Sequence, residues 1–275
     1  MKTFWQRFLT NPRVVCGLIW LGLVTILAIF APLLAPSDPF AIVAEPFKAP
    51  FSEYVFGTDS LGRDMWAGLV HGARTSLLIA LIATVSAVAF GTMIGGIAGY
   101  YGGFIDDILM RMTEFFQTIP SFIFAIVLVA ILTPSATSII VAIAIVSWPP
   151  VARIVRGEVL SVKGREFVQA AIVAGQSDSG ILLKQVLPNT LSPLIVTGSL
   201  LVATAILVES SLSFLGLGAP NLMSWGFMVG SGRSFLRDAW WLVAIPGVAI
   251  LLTVLSINLV GEGLNDALNP RLRDL

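Results

Sequence analysis

Residues able to do chemistry are sparse in this chain, and most of them gather in one place. Its 275 residues include 16 basic and 16 acidic side chains, one histidine and one cysteine. His71 has no second histidine or cysteine nearby, which speaks against a metal centre and leaves it a polar residue rather than a nickel ligand. Cys16 lies in an apolar run and can form no intrachain disulfide. No Gly-x-x-x-x-Gly-Lys-Ser/Thr phosphate loop, Gly-x-Ser-x-Gly elbow or His-Glu-x-x-His motif occurs. The polar density falls between Lys163 and Asn189, which holds Gln169-Ala170-Ala171, Gly175, Asp178 and Leu187-Pro188. From pattern alone the stretch is either a surface held against a cytoplasmic partner or an interfacial loop with no special role. Glu209 stands apart, in the apolar run from Leu191 to Leu212. A carboxylate at mid-bilayer costs roughly 2.5–3.5 kcal/mol on insertion scales, so it must face protein or water. It either lines a translocation path and meets a cationic group of the solute, or it is hydrogen-bonded to Ser210, Ser211 or a helix end. Arg111 and Glu114, at i and i+3, read as a helix-surface ion pair.

The elements that position these residues are membrane helices. Hydrophobic residues make up 56% of the chain and charged ones 12%, against about 25% charged in soluble domains; the mean hydropathy is +0.91. The fold class is therefore all-α, polytopic and membrane-embedded. Six apolar runs are expected to span, at 14–34, 73–100, 108–132, 138–155, 191–212 and 239–260. The first follows a basic start but exceeds the length of a signal-peptide core, so it reads as a retained helix. A Pro-rich loop follows it, giving a division into an N-terminal segment, 1–72, and a membrane domain, 73–275. Gly91, Gly95, Gly96 and Gly99 recur at helical spacing and suit close helix packing. Trp148-Pro149-Pro150 is expected to break or kink the fourth span, 214–238 to be a loop, and Trp240-Trp241 to sit in the aromatic belt.

Within the polar stretch, residues 164–174 form an amphipathic helix carrying Phe167, Val168, Ala171 and Ile172 at helical spacing. Gly175 ends it, Ser177 or Asp178 caps a second short helix, Pro188 ends that one, and Asn189 caps the fifth span. The result is a two-helix knuckle on the membrane face. Basic residues orient it. Lys2, Arg7, Arg13, Arg111, Arg153, Arg156, Lys163, Arg165, Lys184, Arg271 and Arg273 fall on its side, and Lys48, Arg63, Arg74, Arg233 and Arg237 on the other. The excess predicts that the knuckle and both termini are cytoplasmic. A net charge of zero gives no reason to expect a nucleic-acid partner.

The pattern Gln169-Ala170-Ala171, Gly175 and Leu187-Pro188 resembles the Glu-Ala-Ala motif of ABC importer permeases. Seven further stretches are similar to signatures of the dipeptide/oligopeptide/nickel branch. They are 56–64, 72–77, 98–103, 212–218, 224–226, 258–264 and 266–271. The extended loop before the second span resembles that of the C-type subunit of this branch. Gln169 stands where that motif has Glu, and Gln185 where it usually has Ile. The resemblance implies a type I ABC importer permease fold of six transmembrane helices in a prokaryotic inner membrane. It also implies a coupling helix in the 163–189 loop, with Gln169, Ala170, Ala171, Gly175, Asp178, Leu187 and Pro188 at the ATPase-docking surface. The partners it implies are a second homologous permease, two ABC ATPase subunits that carry the ATP and Mg, and an extracytoplasmic substrate-binding protein; this chain itself would hold no cofactor. Di- or oligopeptides are the expected solutes, with nickel, a nickel chelate or an opine-like solute as the alternative. A proton-coupled secondary carrier would be expected to show intramembrane acids or inverted repeats.

Overall fold

The computed structural model describes residues 8–268. The helices run α1 (Pro12–Ile29), α2 (Ala31–Leu34), α3 (Met65–Tyr101), α4 (Gly103–Thr118), α5 (Ser121–Leu132), α6 (Ala136–Lys163), α7 (Glu166–Val173), α8 (Asp178–Ile181), α9 (Leu187–Asn189), α10 (Leu191–Leu212), α11 (Trp225–Gly232) and α12 (Trp241–Leu268). Among the described residues β pairing is limited to two isolated bridges, Ile42 with Arg63 and Thr58 with Asp64. Among the described residues five helices are long and apolar enough to cross a bilayer: α1, α3, α6, α10 with its continuation to Leu217, and α12. The pair α4 and α5 makes a sixth span only if it is counted as one, because the two helices meet at 85°. The expected single run 108–132 is thus broken. Ile119 is extended at φ −86°, ψ 127°, as a residue before proline prefers, and α5 with 12 residues reaches only about 18 Å against roughly 30 Å of hydrocarbon.

The long helix α3 is the frame of the bundle. It begins at Met65, ahead of the expected Ala73, because the Asp64 side chain accepts the Trp66 N–H at 2.9 Å. The expected domain boundary at residue 72 therefore falls inside one continuous helix. Gly91, Gly95 and Gly99 face α6. A Cβ on Gly91 would lie 2.7 Å from Val151 Cβ, one on Gly99 2.9 Å from Val159 Cβ, and one on Gly95 would strike the Ala152 backbone. The glycine spacing is used for backbone approach, as read from the sequence.

Helix α6 does not break at its proline pair; it runs unbroken from Ala136 to Lys163. Trp148 and Pro149 are buried, and the Trp148 ring meets Phe90 and Phe116 edge-on at 5.1 and 5.5 Å. A proline inside a helix costs ~3 kcal/mol, while burying one tryptophan-sized side chain returns a comparable amount. The expected loop after α10 is also partly helical: a π turn at Ser213–Leu217 leads, by a left-handed Gly216 at φ +85°, to α11. The first apolar run is interrupted at Phe30 before α2. Of the tryptophan pair, Trp240 is exposed as expected of a belt residue, but Trp241 is buried and donates to the Thr58 carbonyl at 3.3 Å. That bond ties the 35–64 loop to α12. The loop holds its own shape through Thr58, which donates to the Glu45 carbonyl at 2.7 Å, and Asp59, which accepts from Leu61 and Arg63 N–H at 2.8 Å each.

Candidate functional site

The knuckle at 163–189 forms as helix, turn and helix. Helix α7 ends at Gly175, whose φ of +75° is left-handed. Gly175 N–H bonds the Ile172 carbonyl at 2.9 Å, and Gln176 N–H the Ala171 carbonyl at 3.1 Å. This paired closure is the Schellman cap that a glycine in this position allows. Ser177 caps α8 by accepting from Gly180 N–H at 3.3 Å. Of the four apolar residues expected on one face of α7, only Val168 and Ala171 are buried, against Val162, Ile181, Leu182 and Val186. Phe167 and Ile172 point out, and Val173 is 88% exposed. Gln169, Ala170, Gly175 and Asp178 are exposed beside them.

Two expectations at the end of the knuckle are corrected. Pro188 does not stop the helix at Leu187; the chain stays helical from α8 through a π turn, Leu182–Val186, into α9. The π turn shifts the hydrogen-bond ladder by one residue, so that Leu187 N–H reaches the Leu182 carbonyl and the missing Pro188 donor falls in a first turn, where it is tolerated. Asn189 does not cap α10 either. Its side chain turns back to the Gln185 carbonyl at 2.7 Å, and Thr190 takes the N-cap position without a side-chain bond.

Tyr100, at the end of α3, fastens this knuckle to the bundle. Its hydroxyl donates to Asp178 Oδ1 at 2.9 Å. Lys163, at the end of α6, donates to the Tyr100 carbonyl and places its Nζ 5.3 Å from the centre of the Tyr100 ring. Below this, Arg156 on α6 grips Asp106 on α4 through two bonds of 2.5 Å, and Arg153 donates to Gln117 at 2.7 Å. The expected pair Arg111–Glu114 is not among the ion pairs of the described residues; α4 is held across to α6 instead. Single-helix periodicity finds i,i+3 partners but has no access to these cross-helix ones, which is why Tyr100 and Asp106 were missed.

Glu209 sits at the other end of α10, about 27 Å from Leu191 at 1.5 Å per residue, so the structure does not bring it to the knuckle. It is 1% exposed. Its carboxylate accepts from Ser213 at 2.8 Å, Ser76 at 3.2 Å and Ser210 at 3.4 Å. Ser211 is not a partner; it bonds the Leu207 carbonyl. Ser76 Oγ in turn accepts the Trp225 N–H at 3.3 Å, the first residue of α11. Ser76 belongs to the stretch 72–77 noted above, Ser213 to 212–218 and Trp225, which bonds Ser76, to 224–226; Ser210 lies outside them. Motifs far apart in sequence therefore meet at one carboxylate. The packing around it is close, since a Cβ on Gly226 would lie 2.5 Å from Ser210 Cα. His71 bonds the Ala35 carbonyl at 2.9 Å, and the described residues contain no cluster of metal-ligating side chains.

The described residues thus form a bundle of membrane helices with a helix–turn–helix at one end of it. The chain belongs to the family of binding-protein-dependent transport system inner membrane components, whose family model matches residues 91–274. Residues 1–53 match the N-terminal TM domain of oligopeptide transport permease C. The di/tripeptide transport system permease protein DppC of Pseudomonas aeruginosa is 40% identical over 282 aligned positions, covering 100% of this chain and 93% of that protein. The oligopeptide transport system permease protein OppC of Bacillus subtilis is 39% identical, covering 97% of this chain and 88% of that protein. Among solved structures, an inward-facing MetNI methionine ABC transporter matches with a TM-score of 0.61 at 18% identity, over 74% of this chain and 97% of that one. That likeness carries the fold: an ABC importer permease, here in a multi-pass membrane protein.

Proposed function

We propose that this chain is the C-type membrane subunit of an ATP-driven, binding-protein-dependent importer of di- or oligopeptides. The observation that carries the proposal is the knuckle. Its apolar and small residues, Phe167, Ala170, Ile172 and Val173, are exposed, yet its base is fixed to α3 and α6 by Tyr100 and Lys163. A surface that is sticky outward and rigid inward suits docking on a moving partner. In this reading two ABC ATPase subunits, which carry ATP and Mg, press on Gln169, Ala170, Gly175 and Asp178, with Ala171 packed beneath that surface, while Leu187-Pro188 joins the knuckle to α10. Their closure tilts α3, α6 and α10 and switches a path between this chain and a second, homologous permease. A substrate-binding protein delivers solute at the opposite end.

The basic-residue excess supports a cytoplasmic knuckle and cytoplasmic termini. A cysteine at Val173 should then react with an impermeant maleimide in inverted vesicles and not in intact cells. The names of the curated relatives support peptides as the solute. Glu209, enclosed by hydroxyls, serves in this scheme to hold the wall of the path formed by α3, α10 and α11.

The test is ATP hydrolysis by the reconstituted complex with its cognate binding protein. Di- and oligopeptides should stimulate it severalfold. Stimulation by nickel chelates or opines alone would replace the peptide assignment. Uptake driven by a proton gradient without ATP would discard the importer reading altogether.

A further inference from the structure

A crevice of about 530 Å³ opens between α1, α3 and α10, and its lining shares no residue with the knuckle or with the hydroxyls around Glu209. Its walls are Ala28 and Ile29 of α1 with Leu77, Leu78 and Leu81 of α3, and Arg74 stands in the lining. Arg74 is exposed. Among the described residues it has no ion pair, and it takes part in no hydrogen bond or ring contact. Arg153 and Arg156, by contrast, each bond a side chain of a neighbouring helix.

The position of Arg74 fixes what can answer its charge. It is the last charged residue before an uncharged stretch that continues to Asp106, and α1 is uncharged from Val14 to its end. The end of the hydrocarbon layer on this side therefore lies at Arg74, beside Ile29, the last residue of α1. The crevice is continuous with exposed aliphatic surface on both helices, including Leu78, Leu81 and Val85 on α3 and Ile19 and Ile26 on α1. A face of that composition is built for acyl chains, and an arginine at the hydrocarbon edge reaches headgroup depth, where lipid phosphates are the anions at hand. Guanidinium groups bind phosphate oxygens by paired donors.

We infer that this crevice holds one phospholipid, its acyl chain against α1 and α3 and its headgroup phosphate on Arg74. The chain would use the lipid as a wedge between its first span and the rest of the bundle.

Native mass spectrometry of the full chain, purified in the assembly in which it is extracted from membranes, tests this with palmitoyl-oleoyl phosphatidylglycerol as the probe. One lipid per chain should be retained, and Arg74→Gln should hold it roughly tenfold more weakly, the scale of a lost charge-assisted bond. Leu78→Trp, which fills the crevice but keeps Arg74, should lose the lipid too; it decides the matter if Arg74→Gln does not accumulate. Diacylglycerol with the same chains should not be retained, and millimolar inorganic phosphate should not displace the lipid. Equal retention by wild type and Arg74→Gln would overturn the site. So would tight diacylglycerol binding, displacement by free phosphate, or cross-linking of this position to a carboxylate of a partner subunit.

Discussion

Gly175 separates two effects that are usually confounded. Its φ of +75° is left-handed, yet nothing lies within 4 Å of where a Cβ would stand. A substitution there meets backbone strain of about 1–2 kcal/mol but no steric clash within the chain. Asparagine and aspartate both tolerate this conformation better than other residues. Gly175→Asn should therefore accumulate in the membrane and keep most uptake, while Gly175→Asp accumulates equally but loses at least about tenfold in uptake, because it adds a charge to the docking face. Unchanged uptake in Gly175→Asp would refute a docking role. Gln169 is instructive in a different way. Its side-chain amide donates to the Lys163 carbonyl at 3.2 Å, closing the C-terminus of α6; a glutamate could not donate there. The sequence identified the glycine and the capping Ser177 because both act on the nearest few residues. It left open what Glu209 touches, since Ser76, which bonds it, and Trp225, which bonds Ser76 in turn, come from α3 and α11 and not from its own helix.

At the scale of elements, composition and periodicity were enough to place the helices but not their breaks. Pro149 was expected to break or kink its helix and Pro188 to end one, and neither ends the helix it lies in. In the first case buried aromatic packing outweighs the lost bond; in the second a π turn absorbs it. The opposite error occurred at Pro120, where an apolar run long enough to span turns through 85°. A proline is thus a local penalty whose outcome depends on neighbours from elsewhere in the chain. The glycine face of α3 was read correctly because its spacing of four is itself the geometric requirement. Gly95→Val should abolish the α3–α6 packing, since the added side chain would overlap the Ala152 backbone and overpacking alone costs about 1–3 kcal/mol. The measurement is membrane-inserted protein that survives extraction as a folded species. Wild-type yield and thermal stability for Gly95→Val would show that the two helices can part without harm.

For the molecule as a whole, the question is how a push on the knuckle reaches helices on the far side. The route in the structure is short and polar: Asp178 to Tyr100 on α3, Tyr100 to Lys163 on α6, then Arg156 to Asp106 on α4. Tyr100→Phe keeps the buried ring and its contact with Lys163 while removing the hydroxyl bond to Asp178. The chain should accumulate normally, amide exchange at 177–181 should rise, and solute moved per ATP should fall. Unchanged exchange together with unchanged uptake would show that the bond transmits nothing. The chain order of the two best-packed helices has a separate consequence. Roughly sixty residues separate the glycines of α3 from their partners on α6, and synthesis at about 5–20 residues per second puts several seconds between them. During that interval the glycine face of α3 has only lipid or the insertion machinery as a neighbour. The tightest joint in the molecule is therefore made late, by a helix docking onto one already in place, and the birth of the protein has a vulnerable stage that its finished form conceals.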